Sequence, residues 1–206
     1  MAILSDFRDP DALEAKENLR MIRSLMERST KHSTFSGLSG VLAGLASIVG
    51  CLVTRSLNQQ HLSHEEYRDP FLTTWLIVIL FAISADYLLT KRRAASVGKR
   101  VISRLGKQMI IASTPGLGTG ILLTGMFLDH EMMANIYPVW MLCYGIAVSA
   151  VGLFSQREVT LLGRAFLIAG TVTLAIPHYG LIAMAVSFGG FHIFYGIAMS
   201  RKDGWQ

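Results

Sequence analysis

KRRAASVGKRVISRLGK, residues 91–107, carries seven Lys or Arg and no acid, and it lies between two long apolar runs. Short basic loops of this kind stay on the cytoplasmic side of a membrane. The stretch therefore fixes the direction in which every flanking run must cross.

Outward from it the chain shows six apolar runs, over residues 34–54, 71–90, 108–128, 132–154, 161–176 and 179–199. All but the fifth reach the ~20 residues that a helix needs to cross ~30 Å of hydrocarbon. The 161–176 run is shorter and is expected to span only if Thr160 and Arg164 snorkel to the interface. Six crossings put both ends on one side. Seventeen of the nineteen Lys and Arg then share the side of the basic loop, and only Arg55 and Arg68 fall opposite. The expected fold is all-α: six transmembrane helices as three hairpins, preceded by an N-terminal cytoplasmic amphipathic helix. Residues 1–33 form that helix, 34–199 the transmembrane domain and 200–206 a cytoplasmic tail.

Composition agrees with the membrane class. The chain is 51% hydrophobic and 16% charged, with a mean hydropathy of +0.43, whereas soluble domains are nearer ~25% charged. A net charge of +5 could suggest a polyanion partner. The basic residues, however, sit between apolar runs, where orientation accounts for them, so no nucleic acid is expected. Cys51 and Cys143 each lie inside an apolar run, which offers neither a disulfide framework nor a thiolate metal site. The first run is preceded by a polar, charged segment and is too long for a signal peptide, so it should act as an uncleaved anchor.

Within that leading segment Asp9 suits an N-cap, Pro10 the first helical position, and Asp11 and Glu14 the first turn. Ala15, Leu19, Ile22 and Met26 recur at helical spacing, and Arg23, Glu27 and Lys31 form pairs four apart on the wetter side. Docking on the protein's own cytoplasmic face or the lipid interface, pairing with another helix, and partial disorder all remain open for residues 10–31.

Two connections on the outer side are very short, 129–131 and 177–178, so runs three and four, and five and six, read as helical hairpins. Tyr144-Gly145-Ile146-Ala147 with Ser149 reappears as Tyr195-Gly196-Ile197-Ala198 with Ser200. This is either a parallel repeat of hairpins or two close-packing helix ends.

Residues 22–29, IRSLMERS, then Phe35-Ser36-Gly37-Leu38-Ser39-Gly40 with Ala43-Gly44, and the ending Phe191-His192-Ile193-Phe194-Tyr195-Gly196-Ile197 carry a resemblance. They resemble the start and the final helix of a group of uncharacterised bacterial six-span membrane proteins often encoded beside winged-helix regulators. The resemblance implies a multi-pass protein of the bacterial inner membrane, N-in and C-in, with a loose link to signalling. It carries over no catalytic residue.

Small residues mark packing faces: Ser36, Gly40 and Gly44 on run one, Gly116 and Gly120 on run three, Gly189, His192 and Gly196 on run six. Such faces serve either the bundle itself or a homo-oligomer seam. Pro115-Gly116-Leu117-Gly118-Thr119-Gly120 could break the third helix and free carbonyls for an ion or substrate. It is no phosphate loop, since the Lys is missing.

Asp86 is the only acid within a span and should have a cation nearby, with Arg164 or the Lys91-Arg92-Arg93 cluster as the sources. It is either a structural ion pair or part of a proton or cation relay. His192, with Tyr195 one turn on, reads as an interhelical hydrogen-bond donor or acceptor. Haem would need a second buried His at like depth, and His178 is about 21 Å away along a helix. Asp86, Arg164, His192 and Tyr195 thus make the candidate intramembrane polar site. On the outer side His61, His64, Glu65, His130 and His178 are weak candidates for a divalent ion or for pH sensing against the plain reading of solvated loops. No cofactor is expected, and no Ser-His-Asp, Cys-His or HExxH arrangement suggests an enzyme.

The leading functional expectation is a non-enzymatic membrane module that binds a protein partner or itself through residues 10–31, the 91–107 loop and the glycine faces, as a signal-coupling or accessory subunit. The alternative is a small transporter or an ion or proton pathway using Asp86, His192 and a broken third span.

Overall fold

The computed structural model describes residues 14, 16–22, 37–96 and 104–203. Most of the expected 10–31 helix, residues 97–103 of the basic loop, residues 23–29 and 35–36 of the resemblance, and the end of the tail lie outside the described residues. Within the leading segment, residues 16–22 are helical and exposed.

Every described element is a helix. The chain order is α1 (Gly37–Asn58), α2 (His64–Ser96), α3 (Arg104–Asp129), α4 (Met133–Gly152) and α5 (Arg157–Ala175). A 3-10 turn (Pro177–Tyr179), a short α6 (Gly180–Met184), a π-helical segment (Ala185–Phe191) and α7 (His192–Asp203) then follow one another along the last crossing. Six helices are long and apolar enough to cross a membrane, the last of them being Pro177–Arg201.

The shortfall of the fifth run disappears because helix and apolar run do not share a boundary. α5 starts four residues before the run, at Arg157, and its 19 residues cover about 28 Å. Val159, inside the polar-looking lead, is buried.

The third run is continuous where a break was considered. Pro115 sits inside the helix Arg104–Asp129, and Thr114 Oγ1 and Ser113 Oγ both donate to the Ile110 carbonyl at 2.9 Å. Thr119 Oγ1 likewise donates to the Pro115 carbonyl at 2.8 Å. The helix carries on through the proline, with these hydroxyls bonded to the Ile110 and Pro115 carbonyls.

Packing is uneven. α1 lies against α2 on one side and against the π segment and α7 on the other, while α4 lies against α5, its most extensive neighbour, and against α3. α5 packs mainly on α4 and the last crossing mainly on α1, and the two touch each other far less. Glycines permit the closest approaches. A Cβ on Gly44 would stand 2.7 Å from the Gly189 carbonyl oxygen, and one on Gly40 3.2 Å from the His192 carbonyl oxygen; Gly196 meets the Gly37 carbonyl. On the other side of the bundle, a Cβ on Gly116 would stand 2.7 Å from the Cys143 carbonyl, and Gly120 packs on Trp140 and Cys143. The six glycines singled out in the sequence therefore all face neighbouring helices of the same chain.

The two Tyr-Gly-Ile-Ala-x-Ser stretches do the same local job. Gly145 and Ser149 receive Gly163 of α5, and Gly196 and Ser200 receive Gly37 of α1. Similar sequence here accompanies similar close packing.

Polar turns close the outer end. Ser63 and Glu66 cap α2 reciprocally: the Ser63 N–H donates to Glu66 Oε2 at 3.0 Å and the Glu66 N–H to Ser63 Oγ at 3.4 Å. α3 ends with the Met132 N–H bonded to the Phe127 carbonyl at 2.8 Å and the Glu131 N–H to the Leu128 carbonyl at 3.4 Å. That pairing places Glu131 in the left-handed region, with φ 58°, where glycine is the usual residue. Glu131→Gly is expected to raise the thermal midpoint in detergent, a gain of up to about 1 kcal/mol. A lowered midpoint would mean that the Glu131 side chain contributes more than its backbone strain costs.

The candidate intramembrane polar site

His192 opens α7, at the residue where the π segment ends. A π turn shifts the backbone bonding register by one residue and recurs at functional positions. Here the His192 side chain uses the altered backbone, its Nδ1 lying 3.0 Å from the Phe188 carbonyl oxygen. A carbonyl only accepts, so Nδ1 carries the hydrogen. In the neutral ring Nε2 is then the acceptor, and the Tyr144 hydroxyl donates to it at 2.7 Å.

The pair sits in an aromatic box. The Phe166 ring lies 4.8 Å from both Tyr144 and Phe188 and 5.4 Å from His192, centroid to centroid. Phe188 stacks on the imidazole at 6.0 Å with planes 21° apart. Phe166 is fully buried, so α5 supplies the wall against which α4 and the last crossing present their rings.

Asp86 enters from α2. Its Oδ1 accepts a hydrogen bond from Ser39 Oγ at 2.7 Å, and it lies within electrostatic range of Tyr144. Ser39 is the third residue of α1 and is buried. The Gly40 and Gly44 contacts draw α1 onto the π segment and α7, and so carry Ser39 toward the site. Four elements thus bring Ser39, Asp86, Tyr144 and His192 into one neighbourhood.

Among the described residues the partner of Asp86 is a hydroxyl, that of Ser39. Arg164 is exposed and, among the described residues, no ion pair joins it to Asp86. The reason is which helix α2 meets: it packs on α1 and has no extensive contact with α5. Lys91 and Arg92 are likewise exposed.

The outer candidates are used one by one. His64 Nε2 donates to the Leu128 carbonyl at 2.6 Å, and His130 Nδ1 to the Met126 carbonyl at 2.9 Å. Arg68 pairs with Asp129 at 3.6 Å. His61 occupies a left-handed turn position with φ 51°, and His178 packs edge-on against Tyr179. Glu65 lies in the exposed first turn of α2. Among the described residues no group of three or more His, Cys, Asp or Glu is placed to hold a metal ion. The His64 and Arg68 contacts fasten the start of α2 to the end of α3, and His130 bonds back onto its own helix end.

Reading the residues in isolation found Asp86 and His192 but missed Ser39, the Phe166–Phe188 walls and the π segment. Gly189-Gly190 immediately before Phe191-His192 was the available signal, since paired glycines leave a helix free to change register. Comparison with protein-family models, with curated proteins and with solved structures gives no match, and function has to be inferred from the site itself.

Proposed function

We propose that this chain is a non-enzymatic multi-pass membrane protein whose working part is the Asp86, Tyr144 and His192 site, where a proton is taken up and released within the bilayer and its uptake is passed on as a signal. The observation that carries this reading is the Tyr144–His192 hydrogen bond at the end of a π segment, with the serine-bonded acid Asp86 in the same part of the bundle. Ionisable residues inside membrane spans mark proton and ion pathways as a class.

Two further features shape the reading. The basic residues Lys91, Arg92, Lys107, Arg157 and Arg201 gather at one end of the bundle, and Glu65, Glu66, Asp69, Asp129 and Glu131 at the other, which supports N-in, C-in orientation in a bacterial inner membrane. Exposed Leu19 and Ile22 on the 16–22 helix support a protein partner as receiver of the signal. The six glycines are already engaged within the chain and lend no support to a seam between copies.

The test is infrared difference spectroscopy of the purified protein in lipid. A carboxylic-acid band that comes and goes with pH, and that vanishes in Asp86→Asn, is expected. Absence of any pH-dependent change at Asp86 and at His192 throughout the range of folded protein would overturn the proposal.

A further inference from the structure

We infer that the Asp86, Tyr144 and His192 site, read as above as a place of proton exchange, opens to only one side of the membrane, the side of Lys91, Arg92, Lys107, Arg157 and Arg201. Depth is the first reason. Asp86 lies six residues before Arg92, Tyr144 eight before Gly152 and His192 nine before Arg201, or about 9 to 14 Å along their helices. Ser39 is nearer still to the same end, two residues after the start of α1. Toward the opposite end the last crossing runs another fifteen residues from His192 back to Pro177, about 22 Å.

What fills that second distance is the second reason. Phe166 and Met141 are fully buried, and Met184, Leu128 and Ile136 nearly so. Four of the hydroxyls among them donate to carbonyls of their own helices: Ser47 to Ala43 at 2.9 Å, Thr54 to Gly50 at 2.8 Å, Thr173 to Ala169 at 2.7 Å and Ser187 to Met184 at 3.4 Å, while the Tyr137 hydroxyl is engaged at the outer end with Tyr67 and Asn58. A hydroxyl spent on its own backbone is a poor link in a proton chain. Around His192 the ionisable groups on the packed elements are Asp86 from α2, Tyr144 from α4 and Tyr195 from its own helix. α1 brings Ser39, α5 brings Phe166 with Arg164 exposed, and Cys143 of α4 packs on the glycines of α3.

One-sided access makes the site a sensor and not a through-path. A proton arriving from the basic end forms the Nε2–H bond of His192, which then donates to the Tyr144 oxygen. The Tyr144 hydrogen must then leave Nε2 and turn to another acceptor. No electrons move, and the proton returns by the way it came. The change falls where the π segment meets α7.

The experiment uses the full chain in vesicles of one orientation, verified by labelling a Lys107→Cys variant from outside. The pH is set separately on each side. The readout is the nitrogen NMR signal of His192, identified by its loss in His192→Gln and by its shift in Tyr144→Phe, which removes a single oxygen. The expected result is a signal that follows pH at the basic end alone, with no proton flux above that of protein-free vesicles under a clamped potential. A signal that follows the other side, or a flux abolished by Asp86→Asn, overturns one-sided access and leaves proton exchange standing. A signal indifferent to both sides overturns both.

Discussion

Gly44→Leu is expected to push α1 off the last crossing, with a large loss of stability. A Cβ there would lie 2.7 Å from both the Gly189 carbonyl oxygen and Ile193 Cγ1, and 3.1 Å from the Ile193 backbone nitrogen. Two of those three atoms are backbone and cannot rotate away. Overpacking of a closed site costs about 1–3 kcal/mol where side chains can adjust, and here a helix must move instead. Adjacent positions provide the control. A Cβ on Gly189 would meet Ile48 Cγ1 at 2.5 Å, whereas one on Gly190 meets nothing within 4 Å. Gly190→Leu should therefore melt near the parent protein while Gly189→Leu does not, although both alter the same π segment. Equal midpoints for the two would mean that α1 and the last crossing are not in contact at this level. Since Ser39 rides on α1, Gly44→Leu should also break the Ser39–Asp86 bond and abolish the pH response.

The fold class was legible because each apolar run is a local property of the chain, and the glycine faces because a helix repeats on a fixed period. Contacts between helices far apart in sequence were not. Asp86 reads as costly and in need of a partner, with Arg164 and the Lys91-Arg92-Arg93 cluster as sources of a cation, and the contact the structure shows is the Ser39 hydroxyl. That contact depends on α2 meeting α1, and no periodicity within either helix states that. The π segment was hidden for a different reason: Gly189-Gly190 is compatible with α and π bonding alike, and the choice is made by the rings and helices around it. The outer histidines were close in sequence to acids and still scattered, because the turn at Glu131 and the capping of α2 by Ser63 settle where each points.

Phe166→Ala is expected to cost about 3–5 kcal/mol, the range for emptying a buried aromatic site, and Tyr144→Phe far less, since hydrogen bonds between membrane helices average about 0.6 kcal/mol and reach about 1.7. Phe166 is fully buried and touches Tyr144, Phe188, Phe191 and His192 by ring contacts, so its removal leaves a void that the α4–α5 pair, locked by Gly145, Gly163 and Gly170, cannot close. Tyr144→Phe keeps every ring in place and deletes the donor to Nε2. The two changes separate what holds the bundle from what the bundle holds. If the Tyr144–His192 bond were there for stability, its loss would rival that of Phe166, and the pH response of Asp86 would survive in any Tyr144→Phe protein that folds. The expected outcome is the reverse: a thermal midpoint close to the parent's, a carboxyl band at Asp86 that no longer answers to the state of His192, and a partial recovery of stability in Phe166→Leu with that coupling intact. Loss of the pH response in step with stability across all three variants would identify Tyr144 and His192 as packing residues and remove the basis for proton exchange at this site.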